Sequence, residues 1–99
     1  MAIRFRIPGY LRPFAEGRSE VALAGPFSNV GEALSSLGAQ FPGVRDRVLT
    51  ETGEVRHHVN VFVGEESIRY TGGLKTPVAD GTTVFIVPAV SGGAGAATL

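Results

Sequence analysis

Asp80-Gly81-Thr82-Thr83-Val84-Phe85-Ile86-Val87-Pro88 is the stretch that decides how this chain folds. Asp80-Gly81 is a strong turn signal, because glycine reaches positive φ freely and an aspartate side chain bonds nearby backbone. The run from Thr82 to Val87 is β-branched and aromatic and predicts a strand. Both faces of that strand are apolar: Val84 and Ile86 share one, Phe85 and Val87 the other. A strand of this kind belongs in the middle of a sheet. Pro88 has no N–H to give and ends the ladder. One of the two pairs must be core; the sequence leaves open which.

Upstream, Val59, Val61 and Val63 alternate, with Phe62 on the other face, and predict a second central strand. Gly64 to Ser67 reads as a turn, Ile68 to Tyr70 as a short edge strand, and Gly72-Gly73 with Pro77 as irregular backbone. At the start, Ile3-Arg4-Phe5-Arg6-Ile7 alternates strictly: Ile3, Phe5 and Ile7 face the core, Arg4 and Arg6 face water. Pro8-Gly9 ends this strand. Residues 18–24 alternate more weakly through Val21 and Leu23, after a connection (residues 8–17) longer than a tight turn.

Gly25-Pro26 breaks the chain, and from Val30 the period changes. Val30, Ala33, Leu34, Leu37 and Phe41 form one stripe of an amphipathic helix. Asn29 is the expected N-cap, with Glu32 at capping-box spacing. Gly31 and Gly38 each lower helix propensity by ~1 kcal/mol relative to alanine, but the stripe is continuous. Pro42-Gly43 is the expected stop. Residues 44–49 suit a short helical turn and 50–54 a polar loop.

The order is strand, strand, helix, strand, short strand, strand, an α+β pattern. One main helix packs on one face of a mixed sheet, since both are apolar on one side. With the first and last strands side by side in the middle, this is a β-grasp (ubiquitin-like) roll. The expected division is a domain over residues 1–90 and a flexible Gly/Ala-rich tail over 91–99.

Composition narrows the function. A chain of 99 residues makes one domain with little room for a deep catalytic cleft. Hydrophobic residues at 43% against 18% charged mark a globular chain rather than a disordered one. Zero net charge gives no pointer to nucleic acid or to a membrane surface. The absence of cysteine removes disulfides, a thiolate nucleophile and Cys-based zinc ligation. The N-terminus alternates instead of forming an apolar signal, and no run approaches the ~20 apolar residues of a membrane span; the expected location is cytoplasmic. Lys75 is the single lysine.

Conventional catalysis finds no support. His57 and His58 are expected on a strand, pointing to opposite faces, which prevents a shared metal. Glu65-Glu66 reads as a solvated turn rather than two acids converging on a cleft. Gly72-Gly73 lacks the strand-loop-helix setting of a phosphate-binding loop. No metal site and no bound cofactor are expected, and the chain reads as a non-enzyme.

The remaining signal is the end of the chain, where a strand runs into Ser91-Gly92-Gly93. Three stretches carry a resemblance to a known family. One is Ile7-Pro8 with Leu11-Arg12-Pro13. The second is His58-Val59-Asn60-Val61-Phe62-Val63 with Arg69-Tyr70-Thr71-Gly72-Gly73-Leu74. The third runs from Ala79-Asp80-Gly81 to Pro88-Ala89-Val90-Ser91-Gly92-Gly93. Over residues 3–93 the chain resembles the ubiquitin-like sulfur carriers that include the small subunit of molybdopterin synthase (MoaD) and the thiamine sulfur carrier (ThiS), most of all the CysO type of cysteine biosynthesis.

The resemblance implies that the Gly93 carboxylate is adenylated by a ubiquitin-activating-type enzyme using ATP and Mg. Sulfur from sulfide or a rhodanese-like donor then leaves a thiocarboxylate. Ser91, Gly92 and Gly93 would thread the activating enzyme, glycine's missing Cβ permitting close approach. A sulfur-acceptor enzyme such as a PLP-dependent cysteine synthase would take the sulfur, and a JAMM-type metalloprotease would release the product. Partner docking is expected near the last strand, at Val87 with Ile7 and Val90. Family members usually end at Gly-Gly, whereas here Ala94-Gly95-Ala96-Ala97-Thr98-Leu99 follows. Either a protease, in the likeness of the JAMM type, cuts between Gly93 and Ala94, or these residues are a cloning remnant. Two other readings stay open: a ubiquitin-like modifier conjugated to lysines, and a non-carrier β-grasp interaction module.

Overall fold

The computed structural model of the chain describes residues 2–88. Five strands form one sheet: β1 (Ala2–Arg6), β2 (Glu20–Ala24), β3 (Val59–Val63), β4 (Glu66–Ser67) and β5 (Thr83–Pro88). Their spatial order is β2-β1-β5-β3-β4. The two-sided apolar run therefore lies at the centre. β5 pairs in parallel with β1 from Arg4–Thr83 to Arg6–Phe85, and antiparallel with β3 from Val63–Val84 to Val59–Pro88. This is the mixed sheet of a β-grasp roll, with the first and last strands as neighbours. The Asp80-Gly81 turn that feeds β5 is pinned to the start of β1. Gly81, at φ 82, donates its N–H to the Ala2 carbonyl (2.8 Å), and Asp80 Oδ1 accepts the Ala2 N–H (2.7 Å).

Strand alternation puts Ile3, Phe5, Val21, Leu23, Val59, Val61, Val84 and Ile86 on one buried face. Helix α1 (Val30–Gln40) covers it with the stripe Val30, Ala33, Leu34 and Leu37, and all join a single core. Asn29 caps the helix: its Oδ1 accepts the Glu32 N–H at 2.9 Å. The Glu32 carboxylate reaches back to the Ser28 N–H (2.8 Å), one residue before the cap, so the reciprocal half of the capping box is shifted.

Three segments depart from expectation. Helix α1 ends at Gln40, just before the expected stop at Pro42-Gly43, but Pro42 also opens α2 (Pro42–Val48), where its missing N–H would have had no intrahelical partner anyway. The helical turn expected over 44–49 is this helix, which buries Val44 and Val48 and lays Arg47 over the Phe14 ring. The long connection after β1 is ordered, with Gly9–Ala15 winding as a 3-10 helix that buries Leu11 and Ala15. The edge strand sits at Glu66–Ser67, where a turn was expected, and not at Ile68–Tyr70. Gly64, at φ 63, opens the tight loop that folds β4 back on β3. Ile68–Tyr70 then forms a 3-10 turn, because the Ser67 side chain caps it and Ile68 turns into the core.

Candidate functional site

The structure settles which pair on β5 is core. Val84 and Ile86 face α1, so Phe85 and Val87 face outward. The strand register sets Arg6, Phe85, Phe62 and Ser67 in one row across β1, β5, β3 and β4, with Asn60 and Val87 in the next. Phe62, Phe85 and Val87 thus make a contiguous apolar patch on the outer face of the sheet, with Phe85 37% exposed. Arg4 and Arg6 flank the patch and share Glu20, at 3.7 and 3.3 Å. Ile7, expected at this docking surface, is corrected: alternation from Ile3 and Phe5 commits it to the core, where it is 1% exposed. Val87 does lie on the outer face, and Phe85 beside it is more exposed. Val90 lies outside the described residues.

The end of β5 can be read bond by bond. The Gly64 N–H donates to the Thr83 carbonyl at 3.1 Å. Antiparallel pairs alternate between mutually bonded and unbonded, so Phe62–Phe85 and Asn60–Val87 are the bonded ones. Asn60–Val87 is the bonded pair nearest the end of β5 among the described residues; Val59–Pro88 beyond it is an unbonded pair, so proline's missing N–H removes no bond to β3. β1 and β5 are parallel, so the Ile7-Pro8 end of β1 points the same way. Both strands beside β5 are held at this end by arginine. Arg12 Nε donates to the Ile7 carbonyl at 3.1 Å. Arg69 Nε donates to Asn60 Oδ1 at 3.0 Å, and its Nη2 to the His57 and Val59 carbonyls at 3.1 Å each. Ser91, Gly92, Gly93 and Ala94, the residues expected to carry the chemistry and the processing site, lie outside the described residues.

Other candidates do not converge. His57 and His58 sit in an exposed turn before β3, not on a strand as expected. The turn forms because β3 begins only at Val59, where pairing with β5 starts. Glu65 and Glu66 are exposed at the β3–β4 hairpin. Among the described residues no three His, Cys, Asp or Glu side chains cluster as metal ligands, and no helix is long and apolar enough to cross a membrane. A groove of about 570 Å³ is lined by Val55, Val59, Val61, Ile68 and Leu74, with Arg69 and Lys75 among its polar lining. Sequence reasoning missed Arg69 and Arg12 as strand anchors. It left Phe85 undecided, although the in-register Phe62, out of phase with its valines, marks the same outward face.

Residues 5–93 match the ThiS family. The sulfur carrier protein CysO of Mycobacterium tuberculosis is 37% identical over 95 residues, covering 94% of this chain and 100% of that protein. The M. tuberculosis CysO crystal structure superimposes with a TM-score of 0.79 at 34% identity, covering 89% of this chain and 99% of that one. A chain of the Amycolatopsis orientalis BexX/CysO complex gives a TM-score of 0.79 at 31% identity, covering 92% and 99%. Small archaeal modifier protein 3 of Haloferax volcanii is 38% identical over 66 residues, 67% of this chain and 71% of that protein. These relatives are small carriers and modifiers rather than enzymes, in line with the sequence reading. The chain belongs to the ThiS family.

Proposed function

We propose that this member of the ThiS family is a sulfur carrier whose working group is the carboxylate of Gly93. An amide cannot be adenylated, so a protease first cuts the Gly93–Ala94 bond. The freed carboxylate then attacks the α-phosphorus of ATP, held with Mg by a ubiquitin-activating-type enzyme, and pyrophosphate leaves. Adenylation turns a poor leaving group into a good one. Free sulfide adds to the acyl carbon, and AMP departs to leave a thiocarboxylate. Where a rhodanese-like persulfide is the donor, its terminal sulfur displaces AMP to give an acyl disulfide, which a second thiol then cleaves, becoming a disulfide with the donor cysteine and releasing the thiocarboxylate. A biosynthetic enzyme takes this sulfur. The CysO-type likeness favours a PLP-dependent cysteine synthase as acceptor, with a JAMM-type metalloprotease for release and for the cut after Gly93. Such ATP-dependent partners fit a cytoplasmic setting.

The observation that carries this reading is the course of β5. The central strand of the sheet leads through Pro88 into Ala89-Val90-Ser91-Gly92-Gly93, and the family match runs through to Gly93. A strand bonded on both sides gives such a tail a fixed point of departure, and glycine allows backbone and nucleophile to approach closely. The Phe62-Phe85-Val87 patch offers the partner an apolar docking surface beside that point. The A. orientalis relative forms a complex with BexX, which supports a role that involves binding partner proteins. The test is to incubate the chain ending at Gly93 with its activating enzyme, ATP, Mg and sulfide, and to measure intact mass. Replacement of one oxygen by sulfur is expected. A chain ending at Gly93 that is neither adenylated nor thiolated sinks the carrier reading.

The likeness to small archaeal modifier protein 3 supports a second reading, conjugation to lysines. It uses the same activation and differs in the acceptor. Lys75 is exposed and is the only lysine, which suits single attachment better than chains. A ladder of high-mass adducts in the native cell, without thiocarboxylate, would favour the modifier. An interaction module that ignores the glycines would keep its function when Gly93 is replaced.

A further inference from the structure

A carrier must present its reactive terminus from a reproducible place. Among the described residues the mutually bonded pair nearest the end of β5 is Asn60–Val87, with the unbonded pair Val59–Pro88 beyond it. Sheet ends fray unless other contacts hold them. Here the hold comes from Arg69, whose Nε binds Asn60 Oδ1 (3.0 Å) and whose Nη2 bridges the His57 and Val59 carbonyls (3.1 Å each). These oxygens bracket the start of β3, the strand against which the end of β5 is laid. Arg69 is itself fixed: its N–H is capped by Ser67 Oγ (3.3 Å), and Ile68 beside it is buried. On the other flank Arg12 binds the Ile7 carbonyl (3.1 Å), one residue past the last β1–β5 pair, Arg6–Phe85. Among the described residues the ion pairs are Arg4–Glu20 and Arg6–Glu20, so Arg12 and Arg69 point their donors at strand-end oxygens rather than at carboxylates.

We infer that Arg69, with Arg12 as a lesser counterpart, is a positioning residue that fixes the β3–β5 end, the point from which the chain runs on toward Gly93. This rests on the carrier reading, since what is positioned is Gly93. Arg69 does not touch the reacting carbon; it acts through Asn60 and Val87. The Phe62–Phe85 pair lies one bonded rung deeper, so loosening the end leaves the docking patch formed. Encounter with the activating enzyme survives while delivery of the carboxylate falls.

The test uses the chain ending at Gly93 as Arg69→Ala, Arg69→Lys and Arg12→Ala. Leu23→Ala serves as a destabilised control at the opposite end of the sheet, where Leu23 pairs with Ile3. Amide exchange at residues 60 and 87 is measured beside steady-state adenylation. Arg69→Ala is expected to speed exchange at both amides about tenfold, with β1–β2 amides unchanged. It should lower kcat about tenfold with KM within about twofold. Added guanidinium should restore part of the lost kcat, Arg69→Lys should lie between, and Arg12→Ala should act in the same direction but less. Unchanged exchange at residues 60 and 87, a kcat loss no larger than that of Leu23→Ala, or a rise in KM at constant kcat would each overturn the inference. If the enzyme refuses the unsubstituted chain, the carrier reading fails instead, and the exchange arm alone then decides for or against the anchor.

Discussion

The two faces of β5 carry similar side chains and meet opposite surroundings. Val84 and Ile86 are sealed under α1, while Phe85 and Val87, on the same strand, look outward beside Phe62. Hydrophobicity alone does not assign a face. Alternation says which residues go together, and the helix and neighbouring strands decide which set is covered. Single exposed apolar residues are normal on protein surfaces. A contiguous set on a central strand, left open by the fold and flanked by arginines, is a different matter, and it is the docking surface proposed above. The inner pair holds the domain together; the outer pair is free to serve recognition.

The largest effect expected is on the inner face. Ile86→Ala removes a fully buried side chain and should cost about 2–5 kcal/mol in chemical denaturation. Phe85→Ala, although it removes more atoms, should cost within about 1 kcal/mol, because the ring is already partly solvated. Equal losses would break the comparison between the faces. Next in size, Phe85→Ala should weaken docking to the activating enzyme by about 2 kcal/mol, as for an aromatic anchor, read as a raised KM for adenylation. An unchanged KM would mean that partners dock elsewhere. Smaller again, Asn29→Ala removes the cap of the helix that covers the inner face. A loss of about 1 kcal/mol is expected with KM unaffected; a change in KM would show the two faces to be coupled.

Much of this was legible in the sequence because it depends on local periodicity. The alternation of Ile3-Phe5-Ile7, the helical stripe from Val30, the Asn29 cap and the Asp80-Gly81 turn each follow from residues a few positions apart. What was not legible depends on distant pairing. Glu66–Ser67 became a strand because β3 offers an edge, and Ile68 left that edge for the core. Pro42 opens a helix because Phe41 already turns the chain. Ile7 was correctly assigned inward by alternation and then wrongly expected at the docking surface by likeness. Arg69 bonds atoms 9 to 12 residues away, and no local pattern announces such a clamp. Gly92 and Gly93, the glycines proposed to carry the chemistry, were singled out by motif and likeness alone, and they lie outside the described residues.

The smallest effect tests the outer face most finely. Glu20 holds Arg6 at 3.3 Å and Arg4 at 3.7 Å, and all three side chains are well exposed. Exposed pairs of this kind contribute about 0–1 kcal/mol, since solvent screens the charges and ordering long side chains costs entropy. Glu20→Gln should therefore lower stability by less than about 1 kcal/mol, and the difference should vanish near 1 M salt, where the screening length is about 3 Å. Its effect on association should be easier to see. Arg6 stands opposite Phe85 in the register, so removing Glu20 leaves two uncompensated positive charges at the edge of the apolar patch. Stopped-flow association with the activating enzyme should change in rate, with a steeper dependence on salt, while dissociation stays nearly constant. If Glu20→Gln instead destabilised the domain as much as Ile86→Ala, the outer face would be part of what holds the fold, and its exposed phenylalanine would need no partner to explain it.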